Sequence, residues 1–174
     1  LPYVRLRDMP STLNPLLQAA QKDHDIVLVL AHWGQEYEDS PSPYTQKVAR
    51  SLIDHGADLV VAHHPHVLQG VERHKQGIIA YSMGNFLFEN LHHRQRQTGV
   101  LRVEFSAKQD CIAQVRWHPS VISRNPVRHP VPATGRWGRT VRSRVKTLGA
   151  SLGTRWVEVP KSDDLQMQTD FCQS

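Results

Sequence analysis

The stretch LVVAHHPHVLQG, residues 59–70, places three histidines within four positions directly behind an apolar run. A short apolar, β-branched run of this kind is a candidate buried strand. Histidine fills a core poorly and is a standard metal ligand. His63, His64 and His66 therefore read as a strand end that carries chemistry. If His64-Pro65-His66 is extended, both rings project to the same face, and Pro65 stiffens the link between them.

The segments around it set the expected fold class. SPYTQKVARSLIDHG (42–56) has Ser42 ahead of Pro43, then Val48, Ala49, Leu52 and Ile53 on one side, and Gly56 as a terminator; it predicts a helix. Ile26 to Ala31, in DIVLVLAHWG, is a continuous apolar run and predicts a strand covered on both faces. STLNPLLQAAQKD (11–23) predicts a helix capped by Ser11, with Leu13, Leu16, Leu17 and Ala20 facing a core. GIIAYSMGN (77–85) predicts a third strand. Strand, helix, strand in that order implies a parallel pair joined by a right-handed crossover, hence an α/β fold.

Beyond residue 98 the pattern changes. GVLRVEFSA (99–107) and CIAQVRWHP (111–119) alternate apolar and polar residues around a KQD turn, which predicts an antiparallel hairpin with one wet face. Pro126, Pro130 and Pro132 make 120–135 read as an irregular connection. Residues 136–153 predict a basic helix with Val141, Val145 and Leu148 on one stripe, and the final KSDDLQMQTDFCQS reads as frayed. The expected organisation is a domain portion over 1–119 and a basic extension over 120–174.

Charge follows the same division. Residues 1–119 carry 12 Lys/Arg and 12 Asp/Glu, while 120–174 carry 9 and 4, so the whole net charge of +5 sits in the second part. That part lacks zinc-finger spacing and is sparse in aromatics, so it reads as a solvated basic face, and nucleic acid is disfavoured as a partner. Cys111 and Cys172 form no CxxC pair and no recognisable framework. The chain opens on Leu1 and reads as a segment of a longer one, with any membrane attachment outside it.

Chemistry-bearing residues gather at strand ends. His32 closes the first predicted strand, the histidine triplet the second, and Gly84 and Asn85 the third. Ligands of open α/β sheets bind at the carboxyl ends of strands, and neighbouring strands lie about 4.8 Å apart, so these ends converge. His32, His64 and His66 are the candidate ligands of a divalent metal ion, Mn, Zn or Fe. Glu36 is either a solvated loop carboxylate or a partner of a ligand histidine or substrate. His63 and Asn85 are further pocket candidates, Trp33 a candidate wall, and Phe86 and Phe88 are expected to pack on the sheet. Glu38, Asp39, His24, His55, His74, His92 and His93 read as surface positions.

Three segments, LAHWGQEY (30–37), LIDHGADLVVAHHPHVLQGVE (52–72) and IIAYSMGNFLF (78–88), closely resemble the bacterial capsule-synthesis CapA family, the poly-γ-glutamate biosynthesis domain. That family is similar to the calcineurin-like metallophosphoesterases. The resemblance implies a four-layer α/β/β/α metallophosphoesterase-like domain with a two-metal site. On it, His32 matches the lone strand histidine ligand, and His64 and His66 match a later His-x-His pair. His63 falls where the related enzymes carry glycine. The bridging aspartate and the asparagine–histidine segment of such enzymes have no match upstream of Asp25. The resemblance therefore covers the C-terminal part of the domain.

It implies a metal-dependent phosphoesterase-type hydrolase or transferase in the intact protein, acting in capsule or poly-γ-glutamate assembly at the bacterial cell envelope, with a cytoplasmic place still open. Its implied partners are an anionic polymer or phosphoester substrate and other capsule-synthesis proteins. The alternative is a non-catalytic assembly or anchoring component that keeps the fold. A C-terminal half-domain would leave open the sheet edge that pairs with the rest, so poor solubility or oligomers are expected of the isolated chain.

Overall fold

The computed structural model describes residues 4–89, 92–124, 127–169 and 172. The expectations attached to Leu1, Pro126 and Phe171 lie outside them. Helix α1 spans Met9–Asp23, with Asp8 at the N-cap and Ser11 inside the first turn, where its hydroxyl donates to the Asp8 carbonyl. Strand β1 is Leu28–His32 and helix α2 is Pro43–Asp54. Ser42 caps α2 as its sequence predicts, its hydroxyl accepting from the Thr45 N–H at 3.0 Å. Strands β2 (Leu59–His63), β3 (Val71–His74) and β4 (Gly77–Ala80) follow.

These four strands form one sheet in the order β1-β2-β4-β3. The β1–β2 and β2–β4 pairs are parallel, as the crossover requires, and β3 returns antiparallel onto β4. The β3 strand, VERH, was not anticipated. It is short and half polar, and it pairs only because the turn at Lys75 folds it onto β4.

Strand β5 (Gln97–Ser106) and strand β6 (Cys111–Ile122) make the expected hairpin, with a register shift at Glu104/Phe105. The segment after Pro119 departs from the expectation. Strand β6 runs on to Ile122, and strand β7 (Pro130–Pro132) pairs with it antiparallel. Its two prolines are tolerated because β7 pairs on one side only, where a missing N–H costs nothing. Helix α3 (Gly135–Ala150) buries Val141, Val145 and Leu148 as predicted. Strands β8 (Trp156–Glu158) and β9 (Leu165–Met167) complete a second sheet, β5-β6-β9-β8. Within the stretch expected to fray, Leu165–Met167 is thus paired, and Cys172 is joined to Cys111 by a disulfide.

Two apolar clusters hold the layers. α1 and α2 cover one face of the first sheet, burying Leu17, Val48, Leu52, Val60, Ala62 and Ile79. The opposite face meets the second sheet and α3, where Leu68, Ile78, Val115, Trp117, Val141 and Leu165 interdigitate. The fold is α/β, with two sheets and packed helices, consistent with a metallophosphoesterase-like architecture. Strand β1 corrects one expectation. Val29 and Ala31 pack toward the helices, but Leu28 and Leu30 remain 50% and 75% exposed. An apolar run cannot distinguish one covered face from two; here the second sheet does not reach over β1.

Candidate metal centre

The β1–β2 register pairs His32 with His63, so both strand ends open on one rim. The ladder continues past them through the Trp33 N–H, which donates to the His63 carbonyl at 3.1 Å. The loop after β1 is then pinned to the histidine turn by the Tyr37 N–H donating to the Pro65 carbonyl at 2.8 Å. Gly34, at φ 97°, makes the reversal that brings this loop back.

The HHPH segment is not extended. His64 has φ 101° and His66 has φ 59°, both in the left-handed region that non-glycine residues avoid. Such strain persists only where surrounding structure enforces it, and it concentrates at functional sites. The rings still converge, with centroids 6.1 Å apart, but through a tight turn instead of a strand face.

Ligand-type atoms of Glu36, His64 and His66 lie within 4.8 Å of one another. His32 stands beside this group, its Nε2 at 3.1 Å from His64 Nδ1. Two imidazole nitrogens on one tetrahedral zinc stand about 3.3 Å apart, given Zn–N near 2.0–2.1 Å. The spacing suits a shared ion as well as a hydrogen bond.

Asn85 sets the tautomer of His66. The Asn85 amide nitrogen donates to the His66 and Gln95 carbonyls, each at 3.2 Å, which turns its oxygen toward the ring. His66 Nδ1–H donates to that oxygen at 2.7 Å, leaving Nε2 with a free lone pair. This is the outer-shell bond that ligand histidines use. Asn85 is itself buried. His63 Nδ1–H donates to the Gly84 carbonyl at 3.2 Å, and its ring stays exposed. Partial desolvation, then the neighbouring His64, His63 and His66, push the His32 imidazole below its ordinary range. A neutral imidazole is the form that binds metal.

A model of the bacterial capsule synthesis protein PGA_cap family matches residues 6–90, which hold every residue of this cluster. The chain is also 35% identical, over 96% of its length, to the capsule biosynthesis protein CapA of Bacillus anthracis. Residues 6–90 belong to the PGA_cap family. The chain covers 38% of that CapA protein, so it spans well under half the length of this relative. The PGA biosynthesis protein CapA of Bacillus subtilis is 41% identical over 53% of the chain, covering 24% of that protein. A probable polyglutamine synthesis accessory protein of Mycobacterium tuberculosis is 22% identical over 88% of the chain and 41% of its own length.

Within this PGA_cap segment several expected roles change. Trp33 is buried in the cluster under α1 and α2 and does not wall the site. Phe86 and Phe88 are exposed, and the Phe88 ring lies 4.8 Å from His66. Tyr37, not anticipated at all, lies 6.2 Å from His66 on a left-handed backbone. Asp39 is not simply solvated, because Arg94 and Arg144 hold its carboxylate at 2.9 and 2.6 Å. Those partners lie 55 and 105 residues away, so no local pattern announces them. His93, expected at the surface, is exposed and stacks on Trp137 at 4.6 Å.

Proposed function

We propose that this chain is part of a capsule or poly-γ-glutamate biosynthesis protein in which His64, His66 and Glu36, with His32 beside them, hold a divalent metal ion. The observation that carries the reading is the preset His66 ring: Asn85 occupies Nδ1 and leaves the Nε2 lone pair available beside Glu36 and His64. Two imidazoles and a carboxylate suit Zn, Mn or Fe. Bound there, the ion would act as a Lewis acid on a phosphoryl or acyl oxygen, which supports a phosphoesterase-type hydrolase or transferase. His63 stands at the rim with Nδ1 engaged and Nε2 available, placed to take or give a proton. The substrate is an anionic polymer or a phosphoester, and the partners are other capsule-synthesis proteins.

A cell-envelope setting is supported by the Cys111–Cys172 disulfide, since such bonds persist in oxidising compartments. A second reading, a non-catalytic assembly or anchoring component, is favoured by the uncovered Leu28 and Leu30 on β1.

Isothermal titration with Zn²⁺ and with Mn²⁺ tests the metal centre. The wild-type chain is expected to take up one of them, and the His64→Ala/His66→Ala double variant is expected to take up neither. Equal uptake by both proteins sinks the ligand assignment. Uptake without turnover of any phosphoester by the full-length protein favours the second reading.

A further inference from the structure

A groove runs along α3 on the far side of Asp39. It encloses about 540 Å³ and is lined by Asp39, Gln97, Arg139, Ser143, Arg144 and Thr147, among others. Arg139, Ser143 and Thr147 repeat every four residues on one helix face, over about 12 Å of helix length. The groove is therefore long and lined by donors.

Its charge is positive. Asp39 is the single carboxylate, and Arg144 and Arg94 both bind it. Arg139 is exposed and makes no ion pair among the described residues. Two buried atoms also lack a protein partner: the Gln97 side-chain carbonyl and Arg144 Nε. Gln97 is only 3% exposed, so its carbonyl is an orphan acceptor in a place that disfavours one. Arginines and hydroxyls ask for an anion, and an orphan carbonyl asks for an N–H. Inorganic phosphate at neutral pH offers the first and little of the second. An amide-linked chain of carboxylates offers both.

Arg94 links the groove's Asp39 to the loop beside the metal centre. Arg94 Nη2 donates to the Tyr37 carbonyl at 3.1 Å, and the Tyr37 ring faces His66. A second cavity of about 640 Å³ is lined by Tyr37, Val67, His92, His93, Arg94 and Gln95. Asp39 lines the first cavity and Tyr37 the second, two residues apart in the chain.

We propose that the α3 groove binds the carboxylates of an extended anionic polyamide, with Arg139 and Ser143 as donors and Gln97 accepting from an amide N–H. The site lies outside the metal centre and holds the chain while its end reaches the histidine cluster. The choice of a polyamide rests on the capsule-polymer reading above; the groove itself does not depend on the metal.

The experiment is fluorescence anisotropy with a labelled γ-linked glutamate oligomer on the 174-residue chain. Arg139→Glu is expected to weaken binding about tenfold or more, from one lost charge-assisted contact plus repulsion, while Arg139→Lys retains most of it. Because Arg139 is exposed, neither change threatens folding. Inorganic phosphate at equal charge is expected not to displace the oligomer. Undiminished binding by Arg139→Glu, or full displacement by phosphate, overturns the proposal. The His64→Ala/His66→Ala variant separates the two readings. Metal loss with the oligomer still held leaves the groove standing. Normal metal uptake with no oligomer bound by any protein overturns the groove alone.

Discussion

Two polar clusters sit about the same sheet and use their side chains in opposite ways. In the first, Glu72 on β3 is buried and fully engaged. One of its oxygens accepts from Arg50 at 2.8 Å and the other from the Tyr81 hydroxyl at 2.6 Å. Burial, then Glu72, push the Tyr81 phenol far above its ordinary range, so it stays a neutral donor. In the second, His32, His64, His66 and Glu36 lie on a rim, exposed or half-buried. The rings crowd together as like charges in waiting, on a backbone that Gly would suit better. The closed cluster spends its donors and acceptors internally and ties α2 to β3 and to Tyr81 just past β4. The open cluster leaves lone pairs facing outward. Internal satisfaction suits a structural network, and preset but unspent lone pairs suit a candidate ligand site.

The contrast breaks most visibly under substitution. Glu72→Ala strands the Tyr81 hydroxyl and one side of Arg50. A loss of about 2–3 kcal/mol is expected, toward the lower end for a broken buried pair because Arg50 reaches solvent. Urea unfolding of the variant measures it, and metal uptake is expected to remain at the wild-type level. If uptake falls with stability, the two clusters are not separable as argued.

His64→Gly is expected to do the reverse. Removing the side chain relieves the φ 101° strain, so the metal-free chain gains about 1 kcal/mol in the same unfolding assay while metal affinity drops. A loss of stability would show that the His64 ring supports the fold, not the site.

The smallest effect is in pH. His32 has a lowered value in the folded chain, so the neutral form is favoured by folding. That increment is fully present above about pH 6.5, the unfolded value, and fades as pH falls through the lower folded one. Stability curves of wild type and His32→Asn are expected to draw closer below about pH 6.5; parallel curves would remove His32 from the crowded set. Protons compete with metal in the same direction, so uptake is expected to weaken there too.

Much of the first sheet was legible because its signals are local. Ser42 ahead of Pro43, the stripe Val48–Ala49–Leu52–Ile53 and the run behind His63 each specify an element within a dozen residues. The same locality let strand-end reasoning gather His32, His64 and His66. It missed what depends on distant partners. Glu36, left open by the sequence between a solvated loop and a pocket contact, comes beside His64 and His66, and Asp39 becomes an arginine anchor, only through a loop folded back onto Pro65. Residues 161–174 looked frayed because the strand within them is three residues long, too short for any period to show.

The sequence by itself therefore determined the α/β class, the parallel crossover and the gathering of histidines at the strand ends, since periodicity and turn residues act over one element. Only the tertiary structure decided which face of β1 stays open, that the segment after Pro119 closes a second sheet, and that His64 and His66 meet through left-handed backbone. Those outcomes rest on contacts between residues far apart in the chain, whose entropy of closure only a complete core can offset.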